Sequence, residues 1–341
     1  MSKEAKNVLI FGAGSIGTHH AHAARYCDCN VMICDINKLQ FNYMRDNLYP
    51  ERYKKWDKKI TFISYEDIFK TEKIFDLIIL GVPPQSHLSL LQKCLKYLKF
   101  DKIMTEKPLC IYNQSFSFLK KNKHNDKLYC GFNHSLSDSI VFLKELVVKG
   151  RIGTINKIEI NWKEDFDLIL KAHPWIKSLS HSYLSNIKEG GGGCHEYSHA
   201  IHLGLMFRDI IFSKKGRLSS KIKYIDKKNI YYDSIAQLSF KEKKSSIDIN
   251  IDTISNPPLK TIKLIGEKGI ITWERRIEKN LEKIKIINNK TIDHDFKITR
   301  PDDFINQMRY LLLSNKNNSK IKDIKIESAI EVMNILKKIF K

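Results

Sequence analysis

Short apolar runs alternate with amphipathic stretches in the N-terminal part of the chain. The run NVLIFG (7–12) closes on a glycine and predicts a buried strand, and a helix is predicted from Ser15 to about Tyr26. Further strands are predicted at NVMICD (30–35), ITFIS (60–64), FDLIILGVP (75–83), KIMTEKP (102–108) and KLYCGFN (127–133), with helices near 37–48, 87–99 and 113–123. Strands that alternate with helices predict an α/β domain with a doubly wound parallel sheet.

The pattern changes to alternating apolar and polar residues after a predicted helix at 139–150. Alternation is typical of antiparallel strands with one covered face, and it recurs in INKIEINWKED, KIKYIDKK, IYYDSIAQLSFKE, SSIDINIDTIS, LKTIKLIGEKGIITWER and KIKIINNKTI. Helices are predicted at about 194–208, 302–313 and 325–340. We therefore predict a first domain over 1–128 and an α+β domain over 129–341 with a large, mostly antiparallel open sheet. The C-terminal helix is a candidate to pack back on the first domain.

The composition is that of a folded protein with a large excess of positive charge. The chain has 341 residues, 42% hydrophobic and 28% charged, and its formal net charge is +21. No run reaches five basic residues and no basic stretch is interleaved with aromatic residues, so we expect lysines spread over the surface and no nucleic-acid partner. A basic nucleic-acid-binding protein stays open as an alternative class. The charge also suits an anionic substrate.

No segment predicts secretion or insertion into a membrane. The N-terminus lacks the layout of a signal peptide, and no window approaches the roughly 18 apolar residues of a membrane helix. The seven cysteines are odd in number and lack a framework spacing, which indicates reduced thiols. We therefore expect a cytoplasmic protein with no membrane partner.

A glycine pattern, Gly12-Ala13-Gly14-Ser15-Ile16-Gly17, follows the first predicted strand and opens the first predicted helix. In this context G-x-G-x-x-G predicts a dinucleotide site: the first glycine permits a tight turn, the second lets a pyrophosphate approach, and the third lets helix and strand pack closely. Asp35 ends the next strand, where a carboxylate binds the adenosine ribose hydroxyls and repels a 2′-phosphate. The expected cofactor of this Rossmann domain is NAD, and Lys38 keeps NADP open as an alternative.

Two later strand ends are expected at the same cleft, since dinucleotides bind at the carboxyl ends of parallel strands. The first contains Val82, Pro83 and His87, and the second is Glu106-Lys107-Pro108. The plainer interpretation is that both segments are ordinary loops, because prolines end strands routinely. Beside a nicotinamide, the Lys107 cation is suited to polarise a substrate oxygen.

The stretch GGGGCHEYSH (190–199) contains the H-E-x-x-H pattern of zinc hydrolases. In that pattern two histidines share a helical face and the glutamate is the general base. The third ligand would have to be His202 or Cys194, and ligands so close together on one helix rarely complete a catalytic site. A zinc hydrolase is therefore the minor alternative, and no metal is expected.

The dehydrogenase interpretation explains the same residues better than the zinc interpretation does. A histidine has an ordinary pKa of about 6.5, so His199 is suited to exchange a hydroxyl proton at neutral pH. Glu196 lies three residues earlier, on the same face of the predicted helix, and can orient the imidazole or hold a substrate hydroxyl. His195 falls on another face and is expected to be structural.

Taken in order, these features resemble the Gfo/Idh/MocA oxidoreductases, the family of glucose–fructose oxidoreductase and inositol 2-dehydrogenase. The resemblance extends over nearly the whole chain, and the order and spacing of its motifs are more specific than any one of them. The motifs are the G-x-G-x-x-G with Asp35, IILGVPPQSH (78–87), Glu106-Lys107-Pro108 as the family's EKP, Gly131-Phe132-Asn133, KGRIG (149–153), and the glycine run followed by a helix.

The resemblance implies roles for individual residues. Lys107 would be catalytic beside the nicotinamide, with His199 as acid/base and Glu196 in support. The chain departs from the family here, because most members have an Asp after the glycines and a His four residues later. The residues that would bind the cofactor are Gly12, Ala13, Gly14, Ser15, Ile16, Gly17, Asp35, Val82, Pro83, His87, Glu106 and Lys107.

Substrate contacts are expected from Asn133, His134, Trp175, Tyr183 and His202. His134 stands where the family has an arginine, and His202 replaces its usual second acid. The segments around Trp175 and Tyr183 are similar to those of members that act in surface-polysaccharide and unusual-sugar biosynthesis. The alternative for these two aromatic residues is packing against the sheet.

The sequence thus predicts an NAD(P)-dependent oxidoreductase that acts on CH–OH groups. Its substrate would be a sugar, a nucleotide sugar or a related polyol, and hydride transfer would occur at a secondary hydroxyl or ketone. The resemblance implies a homodimer or homotetramer. A non-catalytic regulator that senses NAD or a sugar on the same fold is the main alternative.

Overall fold

The computed structural model describes residues 4–171, 176–313 and 319–341. These residues form two compact units, each with its own sheet. The first unit contains the chain up to Cys110 together with Gln114–Leu136 and Arg300–Ile330, and the second contains Ile111–Asn113, Ser137–Thr299 and Glu331–Lys341.

The described residues contain strands and helices in the alternation that the sequence predicts. The strands are β1 (Asn7–Phe11), β2 (Asn30–Asp35), β3 (Ile60–Ser64), β4 (Ile74–Leu80), β5 (Lys99–Thr105), β6 (Leu128–Cys130), β7 (Ile155–Lys163), β8 (Arg217–Lys227), β9 (Ile230–Glu242), β10 (Ser245–Asp252), β11 (Leu259–Gly266), β12 (Gly269–Arg276), β13 (Leu281–Ile287) and β14 (Thr291–Lys297). The α-helices are α1 (Ser15–Tyr26), α2 (Leu39–Tyr43), α3 (Tyr49–Tyr53), α4 (Tyr65–Ile68), α5 (His87–Tyr97), α6 (Asp138–Val148), α7 (Phe166–Lys171), α8 (Gly193–Glu196), α9 (Ser198–Ile211), α10 (Asp302–Leu313) and α11 (Ile326–Ile339). None of these helices is long and apolar enough to cross a membrane.

The sheet of the first unit has six parallel strands in the order β3-β2-β1-β4-β5-β6. The two central strands, β1 and β4, are almost entirely buried, as expected for strands with helices on both faces. The strand order reverses between them, and ligands of such sheets bind at this switch point, beyond the carboxyl ends of the strands. The predicted doubly wound parallel sheet is confirmed.

The sheet of the second unit has eight strands in the order β14-β13-β12-β11-β7-β10-β9-β8. All its neighbours are antiparallel except the parallel pair β7 and β10. On β7 the inward residues Ile158, Ile160 and Trp162 are buried, and α9 packs on this strand. The opposite face carries polar side chains, such as Lys157 between Glu159 and Asp248. The predicted, mostly antiparallel open sheet is confirmed.

Two helix predictions in the N-terminal part of the chain are wrong in detail. The helix predicted over 37–48 is instead α2, one π-helical turn at Met44–Leu48, and α3. The helix predicted over 113–123 contains only a short 3₁₀ helix at Ser117–Lys121, where the Ser115 and Ser117 hydroxyls lie 3.2 Å apart. Serine side chains that bond locally compete with the helical backbone, which accounts for the loss of that helix.

Candidate functional site

The glycine turn between β1 and α1 is shaped by close backbone contacts. Gly12 has a φ of +102°, and a Cβ at this position would lie 2.4 Å from the Gly81 carbonyl oxygen. A Cβ at Gly17 would lie 1.8 Å from the carbonyl oxygen of Gly12. Gly14 differs, because a Cβ there would meet no atom within 4 Å among the described residues. Its backbone is open to a ligand at the N-terminus of α1, as a pyrophosphate site requires.

Asp35 lies at the carboxyl end of β2, beside this turn. Its two carboxylate oxygens accept hydrogen bonds from the backbone N–H groups of Ala13 and Asn37, each at 2.8 Å. These bonds fix the orientation of the carboxylate at the edge of the sheet. Each oxygen retains a further acceptor position for a ribose hydroxyl.

A basic side chain that the sequence motifs did not identify lies at the start of α1. Arg52 donates to the carbonyl oxygen and to the Oγ of Ser15, each at 2.9 Å. Burial lowers the pKa of Arg52, and the positive charge of Arg300 lowers it further. The Arg52 guanidinium thus places positive charge beside Ser15, which favours an anionic ligand at this turn.

A buried histidine holds the loop after β4 in place through its ring nitrogens. His87 is 0% exposed, and its ring nitrogens lie 2.7 Å from the carbonyl oxygen of Val82 and 2.9 Å from that of Pro108. Pro83 is exposed and Val82 is half-buried. His87 therefore ties the loop after β4 to the loop after β5, and these loops carry the predicted cofactor contacts Val82, Pro83 and Lys107.

The Glu106-Lys107-Pro108 segment follows β5 at the same edge of the sheet. Lys107 is half-buried, and its peptide bond to Pro108 is cis. Glu106 is 9% exposed and points inward, where its carboxylate lies 2.6 Å from Nε2 of His20. The glutamate of this segment is therefore an internal residue, whereas the lysine reaches the surface of the unit.

In the second unit, the glycine run forms a turn in which neighbouring groups leave no room for side chains. Gly192 has a φ of +88°, and a Cβ there would lie 1.9 Å from Oδ1 of Asp233. A Cβ at Gly191 would lie 2.2 Å from the carbonyl oxygen of Tyr183. The glycines are needed because backbone and carboxylate groups take the space of their side chains.

Asp233 caps the helix that follows this turn. Its Oδ2 accepts a hydrogen bond of 2.7 Å from the backbone N–H of Cys194, in the first turn of α8. The side chain is 0% exposed, and burial raises its pKa to about 7 although the hydrogen bond acts in the opposite direction. The carboxyl group therefore binds a proton in the folded protein over a pH range in which it is ionised in the unfolded chain.

The effect of Asp233 on stability should depend on pH. Its folded pKa, about 7, exceeds the unfolded value of about 3.9, so its contribution is full below pH 4 and is lost as the pH rises to 7. We expect Asp233→Asn to remove this loss. Relative to wild type, the variant should gain about 4 kcal/mol between pH 4 and pH 8, at about 1.4 kcal/mol per pKa unit. Chemical denaturation at both pH values measures this difference, and the exposed Asp226→Asn serves as the control. A difference that is the same at both pH values would contradict the assignment.

The helix predicted over 194–208 is divided at Tyr197. α8 ends at Glu196, Tyr197 leaves the helical conformation, and α9 begins at Ser198. The Tyr197 hydroxyl donates a 2.7 Å hydrogen bond to the carbonyl oxygen of Glu164, which holds the break in place. The two histidines of the HEYSH pattern therefore do not lie on one continuous helix, as the zinc interpretation assumes. The same break separates Glu196 from His199, so the predicted shared helical face of these two residues is wrong.

His195 is fully buried and bonded to the backbone through both ring nitrogens. Its Nδ1 lies 3.0 Å from the carbonyl oxygen of Gly191, and its Nε2 accepts a 3.2 Å hydrogen bond from the N–H of Tyr112. These are the nitrogens that a zinc ligand would need. Over residues 4–171, 176–313 and 319–341, no group of three or more His, Cys, Asp or Glu side chains could hold a metal ion.

Glu196 and Tyr183, which belong to separate sequence motifs, are in contact. The Tyr183 hydroxyl bonds to the Glu196 carboxylate, and burial together with this negative charge raises the pKa of Tyr183 well above its usual value. Both side chains are half-buried, in a region that is otherwise mostly buried. The pair can present a carboxylate and a hydroxyl to a polar ligand.

His199 is 9% exposed and stacks against Trp162, with ring centroids 6.1 Å apart. Lys260, the strand neighbour of Trp162, places its ammonium 5.6 Å from the centre of the same ring and 2.7 Å from a Glu164 carboxylate oxygen. The Trp162 ring thus contacts both the predicted acid/base and the lysine of the ion pair. The sequence motifs identified neither, because the pairing of β7 with β11 brings them together.

The remaining predicted substrate residues lie in different environments. Asn133 is 8% exposed, and Nδ1 of its neighbour His134 lies 3.8 Å from the Asp303 carboxylate, within the first unit. His202, on α9 of the second unit, is 2% exposed. Trp175 lies outside the described residues. The roles of these four residues stay predictions.

The parallel sheet, the glycine turn and the strand-end carboxylate define a dinucleotide-binding Rossmann domain. Residues 6–130 match the model of the Gfo/Idh/MocA family, which is described as an oxidoreductase family with an NAD-binding Rossmann fold. The resemblance to this family and the predicted cofactor class are thereby confirmed. A search of curated proteins found no match.

Solved structures with similar folds include sugar and polyol dehydrogenases. An inositol dehydrogenase homolog from Azotobacter vinelandii, complexed with NAD⁺, has a TM-score of 0.74 at 12% identity over 98% of this chain and 94% of its own. The same homolog complexed with NADH and myo-inositol gives 0.72 at 12% identity over the same shares. A levoglucosan dehydrogenase in complex with NADH gives 0.71 at 13% identity over 96% and 98%. At these identities the likeness establishes the fold alone.

Proposed function

We propose that this protein is an NAD-dependent oxidoreductase that transfers a hydride between the cofactor and a secondary hydroxyl or ketone of a sugar, nucleotide sugar or polyol. The observation that carries the proposal is the open backbone at Gly14 beside the Asp35 carboxylate, at the carboxyl edge of the parallel sheet. The family match over 6–130 and the dehydrogenases of similar fold support the reaction class.

The cofactor should be NAD rather than NADP. Asp35 is oriented by two backbone N–H groups, so its negative charge stays at the place where the adenosine ribose binds. Ribose hydroxyls can donate to this carboxylate, whereas a 2′-phosphate would be repelled. Lys38, three residues later, weakens this preference without reversing it.

The reaction requires a hydride acceptor, a proton acceptor and stabilisation of charge on the substrate oxygen. NAD⁺, when bound, supplies the hydride acceptor. His199 is the proposed base that takes the hydroxyl proton, and the Glu196–Tyr183 pair is proposed to hold a second hydroxyl of the substrate. Lys107 is the proposed cation that stabilises negative charge as it develops on the oxygen.

A substrate panel tests the proposal directly. The protein is incubated with NAD⁺ or NADP⁺ and with myo-inositol, levoglucosan, L-sorbose and a set of nucleotide sugars, and NADH or NADPH is followed by absorbance. We expect turnover of at least one polyol or sugar, faster with NAD⁺ than with NADP⁺. Tight NADH binding with no turnover of any compound would favour the regulator that senses NAD or a sugar.

We also propose a cytoplasmic homodimer or homotetramer. None of the seven cysteines, all of which lie within the described residues, takes part in a disulfide. Thiols of this kind persist in a reducing compartment. The open face of the second unit's sheet offers a surface for a second copy of the chain. Light scattering of the purified protein measures the assembly.

A further inference from the structure

The carboxylate of Glu106 lies inside the first unit, although the next residue is the proposed catalytic lysine. Its side chain is 11% exposed and lies over Gly131, where an added Cβ would be 2.6 Å from Oε2. Gly131 thus makes room for a charged group that would be better solvated outside. A buried carboxylate requires hydrogen-bond partners to offset the loss of water.

His20 supplies one of these partners from α1. Its side chain is 1% exposed, and its Nε2 lies 2.6 Å from Oε1 of Glu106. Nδ1 of His20 has no hydrogen-bond partner within the part of the chain that the structure describes. The tautomer with its proton on Nε2 therefore suits this site, because that N–H donates a hydrogen bond to Glu106.

The second oxygen of Glu106 holds the backbone of Lys107. Oε2 accepts a hydrogen bond of 3.1 Å from the Lys107 N–H, while Nδ1 of His87 lies 2.9 Å from the carbonyl oxygen of Pro108. The segment that carries the lysine is thus held at both ends by buried side chains. His20 acts on one end through Glu106, and His87 acts on the other.

We propose that His20 and Glu106 are positioning residues for Lys107. Helix α1 presents its N-terminus to the dinucleotide and, in its second turn, presents His20 to the carboxylate that fixes the Lys107 backbone. The same helix therefore sets the place of the cofactor and of the lysine. This inference rests on the proposed function for the role of Lys107, while the positioning itself is measurable without turnover.

Two amide variants of His20 test the link. The side-chain amide of His20→Gln can reach the position of Nε2 and donate to Glu106, whereas that of His20→Asn is shorter and cannot. His22→Asn is the matched control, because His22 also lies on α1 but stacks on Tyr53, with ring centroids 3.6 Å apart. Circular dichroism and thermal melting verify that each variant is folded.

The readout is the rate at which acetic anhydride labels Lys107, followed by mass spectrometry and normalised to the exposed Lys93 of the same unit. We expect severalfold faster labelling of Lys107 in His20→Asn and rates near wild type in His20→Gln and His22→Asn. Turnover of His20→Asn should fall about 10²-fold with an unchanged dissociation constant for NADH, since a misplacement of about 1 Å costs that much. Equal labelling of Lys107 in folded His20→Asn and wild type would overturn the proposal.

Failure of the proposed function would look different. If Lys107→Ala retained wild-type turnover, the catalytic role of the lysine would be wrong. The difference in labelling between His20→Asn and His20→Gln would still establish that His20 positions the segment.

Discussion

Replacing Lys107 by alanine is expected to lower turnover about 10²- to 10⁴-fold, the range that a positioned acid–base or charged group contributes. The side chain follows β5 at the carboxyl edge of the sheet, where it is half-buried and anchored through its backbone to Glu106. The proposed pyrophosphate and ribose contacts lie at the glycine turn and at Asp35, so the dissociation constant for NADH should change little. Steady-state kinetics and NADH fluorescence titration measure the two quantities.

Lys99→Ala is the matched control for this prediction. Lys99 begins the same strand, is exposed, and forms a surface ion pair with Glu72. We expect wild-type kinetics, because an exposed ion pair contributes little to stability. Turnover of Lys107→Ala close to that of Lys99→Ala would refute the catalytic role.

Alanine substitutions in the glycine turn should separate folding from cofactor binding. At Gly17 the new Cβ meets backbone at 1.8 Å, so we expect Gly17→Ala to lower the free energy of unfolding by about 3 kcal/mol or more. At Gly14 the backbone is extended and the space is open, so Gly14→Ala should change the free energy of unfolding by less than about 0.5 kcal/mol.

For cofactor affinity the order of the two variants should be reversed, with the larger effect in Gly14→Ala. A methyl group at Gly14 lies where the pyrophosphate should approach, so we expect the dissociation constant for NADH to rise at least tenfold, or about 1.4 kcal/mol. Urea denaturation and calorimetric titration of the two variants provide the data. Wild-type affinity in Gly14→Ala would show that the dinucleotide does not bind at this turn.

The architecture was predictable because its signals are local. Apolar runs and alternating runs mark the strands of the two sheets, and the glycine pattern with Asp35 marks the binding edge of the first. The family match over 6–130 confirms that interpretation. Each of these features is carried by residues close together in the sequence, where periodicity and turn chemistry act.

The supporting contacts of the site could not be predicted in the same way. His20 and Glu106 are 86 residues apart, and Cys194 and Asp233 are 39 apart. Such pairs depend on how whole elements pack, which no pattern in one sequence encodes. The break at Tyr197 has the same origin, because its hydroxyl is held by the carbonyl of Glu164 on another segment. Periodicity alone predicts a continuous helix here.

The turn at Gly192 links two distant positions in the sequence. Since Oδ1 of Asp233 lies where a side chain at 192 would begin, a larger residue there requires a shorter one at 233. A shorter residue at 233 in turn removes the carboxylate that caps α8. Position 192 is therefore expected to stay glycine among relatives of this chain, since its φ of +88° adds strain for any other residue even where position 233 is short.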